Sequence, residues 1–206
     1  MSEEKTTITR KLKREIDELM LQLSLGKAEA SDFIEEQKGR FKGVVDDVRE
    51  KVAEAEAAGE EAGAKKAAIL RQKLDELKVQ LALGRMETRE AYEDQKEKIG
   101  DAIDSVRAEL KPLEEKLPEA LKEAKEKFDV GSEGFKAKLD ALALNLGVGK
   151  LIAEDQLKLK KDELKQDLKD LSSKLVDVAD VAEEGLRKVG HEALETLSEI
   201  RKKLLG

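Results

Sequence analysis

The chain has 206 residues, of which 42% are charged, 39% are hydrophobic and only 2% are aromatic. The net charge of −7 argues against nucleic-acid binding, which needs a basic face. The absence of cysteine excludes disulfides, thiolate metal sites and a cysteine nucleophile.

The apolar residues are mainly Leu and Ala on a background of Glu, Lys, Asp and Arg, with no Trp. This composition is typical of long helices and coiled coils, which need a narrow apolar stripe rather than a thick core. No run alternates apolar and polar residues with the turn signals of a sheet. We therefore predict an all-α protein.

The first ten residues, MSEEKTTITR, lack the apolar stretch of a signal peptide. No run of about 18 apolar residues is present to span a bilayer. These two observations predict a cytoplasmic protein.

One phrase recurs three times, starting at Leu12, Leu70 and Phe135. The copies read LKREIDELMLQLSLGK, LRQKLDELKVQLALGR and FKAKLDALALNLGVGK. Identical columns hold Asp17, Asp75 and Asp140; Leu19, Leu77 and Leu142; Leu23, Leu81 and Leu146; and Gly26, Gly84 and Gly149. The glycines lie 58 and 65 residues apart, so the period is that of a supersecondary unit rather than of a heptad.

Each copy begins as an amphipathic helix, because its apolar residues step by four, three and four. Towards the glycine the apolar residues surround more than one face, so the helix needs more than one neighbour to cover it. We interpret this end as an interaction surface. Its predicted residues are Leu21, Leu23, Leu25, Val79, Leu81, Leu83, Leu144, Leu146 and Val148.

The shared glycines, Gly26, Gly84 and Gly149, are predicted hairpin turns. A glycine after the last turn of a helix favours a left-handed conformation that other residues adopt at a steric cost. A short polar connection follows, in which Ser31 or Thr88 is placed to cap the next helix.

A second arm follows each glycine, with apolar residues at matching positions in all three copies. These positions hold Ile34, Tyr92 and Leu157; Phe41, Ile99 and Leu164; Val45, Ile103 and Leu168; Val48, Val106 and Leu171; and Val52, Leu110 and Leu175. Gln37 and Lys38 recur as Gln95 and Lys96, and as Lys160 and Lys161. Each repeat is thus predicted to be a helical hairpin.

The predicted fold is a single all-α domain, residues 1–206, of tandem antiparallel helical hairpins forming an elongated, coiled-coil-like helical bundle. The hairpins cover about 8–55, 66–113 and 132–178, and a C-terminal helix covers 179–205. Two arrangements stay open at this point. Helices run on between repeats, for example from Ser31 to Leu83, or they bend at Gly59 and Gly63 and at Pro112 and Pro118.

No catalytic, cofactor or metal site is predicted. His191 is the only histidine, and no second histidine or cysteine completes a zinc site around it, so we interpret it as structural. The recurring Asp17, Asp75 and Asp140 would form a carboxylate ring for a divalent cation if the repeats stacked about an axis. The favoured interpretation is a solvent-side aspartate paired with a lysine one helical turn away.

The phrase LALGRMETREAYEDQKEKI resembles the SHOCT-type short helical hairpins found as small modules in bacterial proteins. Gly84, Thr88, Tyr92 and Lys96 match that pattern. The phrases LQLSLGKAEASDFIEEQK and VQLALGRMETREAYEDQK also resemble bacterial coiled-coil proteins of uncharacterised function, some associated with stress response. The resemblance implies oligomerisation or scaffolding and no catalysis.

These observations predict a structural or interaction protein that forms a homo-oligomer or binds a helical protein partner. The alternative is a peripheral protein that lays its amphipathic helices on a lipid surface. The narrow stripes, bounded by mixed charges, favour the first function. An enzyme is disfavoured because the chain has a single His, a single Tyr and no Cys to build a pocket.

Overall fold

The computed structural model describes residues 2–58, 61–111, 119–147, 154–177 and 195–203. Within these ranges nearly every residue is helical and none lies in a strand, which confirms the all-α prediction. The helices are α1 (Ser2–Ser24), α2 (Lys27–Ala58), α3 (Glu61–Leu81), α4 (Arg89–Leu110), α5 (Glu119–Leu146) and α6 (Glu154–Asp177). Residues 195–203 are also helical.

The chain divides into two compact units. Unit 1 contains Met1–Ile34 and Glu133–Gly206, and unit 2 contains Glu35–Ser132. The boundaries fall within α2 and α5, so both helices contribute residues to both units. The three-hairpin division and its tandem arrangement stay predictions of the sequence.

The apolar stripes predicted for the second arms form much of the core. Of the recurring positions, Leu157 is half-buried and every other one is buried. The first arms contribute Leu12, Leu19 and Leu23 from α1 and Leu70, Leu74, Leu77 and Leu81 from α3. The 3.6-residue period therefore identified the core-facing side of each helix correctly.

In unit 2, α2 and α3 run in opposite directions. Arg49 pairs with Asp75, Arg71 pairs with Glu56, and Lys78 pairs with Asp46, so later residues of α3 meet earlier residues of α2. The chain therefore reverses between the two helices, and an unbroken helix from Ser31 to Leu83 does not form. Helix α3 also packs against α4. Pro112 and Pro118 lie outside the described residues.

In unit 1, α5 is enclosed by other helices. Every residue from 134 to 144 is buried, as expected for a helix with apolar side chains on several faces. Glu15 contacts Lys138 and Gln22 contacts Asn145, with a sequence separation of 123 in both cases, so α1 and α5 run in the same direction. Helix α1 also packs against α6.

The connection between α1 and α2 is shorter than predicted. The carbonyl of Gly26 accepts the first helical hydrogen bond, from the Ala30 N–H, at 2.9 Å. The Glu29 carboxylate in turn accepts from the Gly26 N–H at 3.1 Å. Gly26 is therefore the N-cap of α2, with half of a capping box. The predicted Ser31 cap is wrong, because Ser31 is buried inside α2.

The α3–α4 connection contains Gly84 and ends in the predicted cap. Thr88 is the N-cap of α4, and its side-chain oxygen accepts from the Ala91 N–H at 3.2 Å. This confirms the Thr88 prediction.

The left-handed glycine lies elsewhere than predicted. Among the described glycines only Gly147 has a positive φ, of 67°, so the left-handed assignment of Gly26 and Gly84 is wrong. Gly147 follows the last residue of α5 and ends that helix. It precedes the predicted turn glycine, Gly149, which lies outside the described residues.

Candidate functional site

The residues of the predicted interaction surface differ widely in their solvent exposure. Leu21 and Val79 are the exposed members, with 51% and 60% of their surface accessible. Leu25, Leu83 and Leu146 are half-buried, whereas Leu23, Leu81 and Leu144 are buried. Val148 lies outside the described residues.

Leu21, Val79 and Leu144 occupy the same column of the repeat. In the third copy Leu144 is 5% exposed, because it belongs to the enclosed part of α5. In the first two copies the same column faces solvent. One repeat position is thus covered by other helices in one copy and uncovered in two.

The outer side of α3 carries a shallow groove of about 590 Å³. It is lined by Ala68, Arg71, Gln72, Asp75, Glu76 and Val79. All but Arg71 are exposed, and Arg71 is half-buried. Ile69, 46% exposed, adds a second large apolar side chain to the solvent-facing surface of this helix.

Lys38 forms a buried polar cluster in unit 2. Its ammonium donates to the carbonyls of Leu83 and Gly84 at 3.3 and 3.0 Å. It also donates to Gln95 at 2.9 Å and to Glu35 at 2.8 Å. Leu83 and Gly84 lie in the α3–α4 connection just after α3 ends, so Lys38 of α2 satisfies two buried-side carbonyls that no helix donor reaches.

Lys138 forms a second buried cluster, in unit 1. Its side chain is 2% exposed and contacts the carboxylates of Glu15 and Glu18 at 2.6 and 2.5 Å. The backbone carbonyl of Lys138 accepts from the Gln22 side chain at 2.8 Å. A buried ammonium between two carboxylates on α1 ties α5 to that helix at one register.

The two carboxylates respond differently to this environment. Burial raises the pKa of Glu15, and the neighbouring Glu18 charge adds to that effect, while Lys138 offsets it in part. Burial acts in the same direction on Glu18, but hydrogen bonds and charges from Lys138 and Arg14 outweigh it and lower the pKa of Glu18. The same lysine is thus surrounded by two carboxylates whose pKa values are shifted in opposite directions.

A third cluster links α5 to residues 195–203. The Arg201 guanidinium donates to Asp140 at 2.9 Å and to Glu133 at 3.0 Å. Burial opposes the charged form of Arg201, but the charges of Asp140 and Glu133 outweigh it and raise the pKa of Arg201. Because Asp140 is fully buried, this contact neutralises a carboxylate inside unit 1.

The recurring aspartates have three different environments. Asp17 is half-exposed and pairs with Lys13, one turn earlier on the same helix, as the favoured interpretation expected. Asp75 pairs instead with Arg49 of another helix, and Asp140 is buried against Arg201. In the part of the chain that the structure describes, no group of three acidic or histidine side chains is arranged to hold a metal ion. His191 lies outside that part.

Sequence reasoning did not assign a role to Lys38 or Lys138. For Lys38 a signal was present, since a lysine recurs at this repeat position as Lys96 and Lys161. Lys96 lies 5.5 Å from the Tyr92 ring centroid, and Lys161 donates to Asn145 at 2.5 Å. The recurrence indicated a polar repeat position that contacts other side chains, but the residue contacted by the lysine differs in each copy.

Comparison of the chain with protein-family models, curated proteins and solved structures gives no match. The resemblance to short helical hairpin modules and to bacterial coiled-coil proteins therefore stays a prediction. Within the described ranges, no helix combines the length and apolar character needed to cross a bilayer.

Proposed function

We propose that this chain is a cytoplasmic structural or interaction protein, without catalytic activity, that associates with a second copy of itself or with another helical protein. The observation that carries the proposal is the repeat column of Leu21, Val79 and Leu144. Leu144 is packed among helices, whereas its two counterparts are more than half exposed. A helix from a second molecule would cover them as the helices of unit 1 cover Leu144.

Single exposed apolar residues are common on soluble proteins and need no explanation by themselves. The support here is that the exposed residues recur at one repeat position, and that this position is buried where the fold supplies enough neighbours. The non-catalytic part of the proposal is supported by the composition, since one His and no Cys leave few groups for acid–base or nucleophilic chemistry.

The proposal includes the arrangement of the repeats as an elongated bundle of hairpins. Three tandem antiparallel hairpins would present the glycine-proximal ends of their first arms at repeated positions. The packing of α3 against α4 supports this for the middle copy. Small-angle scattering of the full chain tests the elongated arrangement through the radius of gyration.

Sedimentation equilibrium of the wild type and of Leu21→Lys and Val79→Lys tests self-association. We expect the wild type to associate with increasing concentration, and each variant to weaken association because a lysine cannot be buried against an apolar partner without a counter-charge. Leu159→Lys is the matched control, since Leu159 is 69% exposed but lies outside the predicted surface. Equal association of all four proteins would contradict the proposed surface.

A further inference from the structure

Lys161 of α6 has a neutral hydrogen-bond partner instead of a carboxylate. Its ammonium donates to the Asn145 side-chain oxygen at 2.5 Å, and among the described residues no acidic side chain pairs with it. Elsewhere in the described ranges lysines pair with acids on the same helix, as Lys98 does with Asp94 at 2.8 Å. A neutral amide stabilises the ammonium form less than a carboxylate does.

The repeat shows which charge the third copy lacks. Lys161 occupies the same repeat position as Lys38, whose ammonium pairs with Glu35 three residues earlier. The residue three before Lys161 is Lys158. Residues three and four apart are neighbours on a helix surface. The third copy therefore has a repulsive charge where the first copy has an attractive one.

The other neighbours of Lys161 on α6 also disfavour its charged form. Lys165 follows four residues later, and the two remaining neighbouring positions hold Leu157 and Leu164. Lys161 is half-buried. Burial lowers the pKa of Lys161, and the charge of Lys165 adds to that effect. At neutral or mildly basic pH, a larger fraction of this amine is therefore neutral than for a fully solvated lysine.

The helices beyond α6 do not replace the missing carboxylate. Asn145 is in the uncharged last six residues of α5, ALALNL, and it donates to the Gln22 carbonyl of α1 at 3.0 Å. The acidic residues nearest in sequence to these two on their own helices are Asp140 and Glu18. Both already have cationic partners, which are Arg201 and Lys138 respectively.

We propose that Lys161 is a modification site at which its amine takes an acyl group from an acyl phosphate. The lone pair of the neutral amine attacks the acyl carbon and forms an amide bond. The bond between the acyl carbon and the phosphate oxygen breaks, and the leaving phosphate takes up the proton that the nitrogen loses. The donor is an anion, so the charges of Lys158 and Lys165 attract it to the same side of α6.

Acylation of Lys161 changes a contact that joins three helices. The ammonium has three N–H donors and a positive charge, whereas the acylated nitrogen has one N–H donor and no charge. Asn145 receives the hydrogen bond from Lys161 and itself contacts Gln22, so the change at α6 reaches α5 and α1. This site is independent of the proposed self-association.

Acetyl phosphate is the probe that tests the site. The full chain is incubated with it at about pH 8 and about 0.1 M salt, and the amines that remain are then blocked with deuterated acetic anhydride in denaturant. Mass spectrometry gives the acetylated fraction of each lysine, and fragment ions separate Lys161 from Lys160. We expect Lys161 to react at least about threefold faster than Lys98 and Lys203. Those two are exposed but pair with acids, so reactivity governed by accessibility alone would give the opposite order.

Two variants restore a carboxylate beside Lys161. Lys158→Glu reproduces the arrangement of the first copy, and Asn145→Asp converts the contacting amide into an acid of nearly the same shape. Each should slow acetylation of Lys161 at least about threefold, because an adjacent negative charge favours the ammonium form. Lys174→Glu is the matched control, since it makes the same change in net charge at an exposed position about 20 Å along α6. It should leave the rate at Lys161 unchanged.

An uncharged acyl donor tests the role of the phosphate. With the acetyl ester of N-hydroxysuccinimide, Lys161 should still react faster than Lys98, but by a smaller factor, because Lys158 and Lys165 no longer attract the donor. An equal factor with both donors would overturn the acyl phosphate as the donor that this side of α6 favours.

The remaining outcomes decide whether the folded environment activates Lys161. Preferential acetylation that both carboxylate variants reduce supports the proposal. Acetylation of Lys161 no faster than that of Lys98, or the same preference in the urea-unfolded chain, overturns it. Circular dichroism checks that the variants keep the helicity of the wild type. If Asn145→Asp loses helicity, the result for Lys158→Glu decides, and an unchanged rate in that variant overturns the proposal.

Discussion

Buried charged side chains hold specific pairs of helices together in this protein. Lys38 reaches the end of α3, Lys138 lies between two carboxylates of α1, and Arg201 neutralises a buried aspartate. Buried ion pairs gain little net stability over well-packed apolar groups, but removing one partner leaves an uncompensated charge. We therefore expect loss of one partner to cost more stability than the intact contact contributes.

The Lys138 cluster predicts opposite pH dependences for its two carboxylates. The raised pKa of Glu15 means that its contribution to stability is present below about pH 4.5 and is lost as the pH rises through its folded pKa. The lowered pKa of Glu18 means that its contribution is present above about pH 4.5 and is lost as the pH falls through its folded pKa.

We therefore expect Glu18→Gln to destabilise the protein by about 1–3 kcal/mol at pH 7 and to approach wild-type stability in acid. The free energy of unfolding of Glu15→Gln should instead increase relative to that of the wild type as the pH rises. Urea unfolding of both variants between pH 3 and pH 7 measures the two slopes. Parallel slopes would contradict the assignment of the raised pKa to Glu15.

At the scale of the helix end, one of the glycines that the structure describes differs from the rest in its backbone conformation. Gly147 closes α5 with a φ of 67°. Gly84 lies in the α3–α4 connection outside the left-handed region, and a Cβ there would meet nothing within 4 Å. Of the repeated glycines, Gly26 and Gly84 are thus not in the left-handed conformation.

Replacing these glycines with alanine should have opposite effects. Gly147→Ala should destabilise by about 1–2 kcal/mol, because a Cβ is strained in the left-handed conformation. Gly84→Ala should be neutral or stabilise by up to about 1 kcal/mol, since it restricts the unfolded chain without a native clash. Thermal unfolding of the two variants gives the comparison, and an equal loss in both would show that Gly84 needs its conformational freedom.

The stripes of the second arms were predictable because burial in a helix repeats every 3.6 residues, and Ile34, Tyr92, Val48 and Val106 are all buried as expected. The Thr88 cap was predictable because its signal is local. The role of Lys38 was not predictable, because its partners Leu83 and Gly84 belong to another repeat. Which connection packs beside α2 depends on the tertiary fold and leaves no local signal in the sequence. The exposure of Val79 was not predictable for the same reason, since the third copy buries the equivalent Leu144.

At the scale of the whole chain, unit 1 brings together segments that are far apart in sequence. It contains Met1–Ile34 and Glu133–Gly206, with unit 2 inserted between them. Contacts such as Glu15 with Lys138 span most of the chain. Formation of unit 1 therefore carries the loop-closure entropy of long-range contacts, which grows slowly with length.

Among the contacts of unit 1, the ion pairs of Arg201 are those whose removal should lower the free energy of unfolding most. Arg201→Met would remove the guanidinium that pairs with the fully buried Asp140, and we expect a loss of about 3–5 kcal/mol in the free energy of unfolding. Arg201→Lys should recover part of this, because it keeps the charge but cannot bridge Asp140 and Glu133 with a planar fork. Lys203→Met is the control, since its ion pair with Asp167 is exposed to solvent and such pairs contribute little to stability.

Urea unfolding gives the free energies, and amide hydrogen exchange locates the effect. Loss of protection in Arg201→Met should include residues 133–146 of α5, because that segment contains Glu133 and Asp140, the two carboxylates that Arg201 contacts. If Arg201→Met and Lys203→Met cost the same, then residues 195–203 do not neutralise Asp140 in solution. In that case other contacts of α5 compensate the buried carboxylate, and residues 195–203 contribute to unit 1 through the buried Leu197 and Ile200 instead.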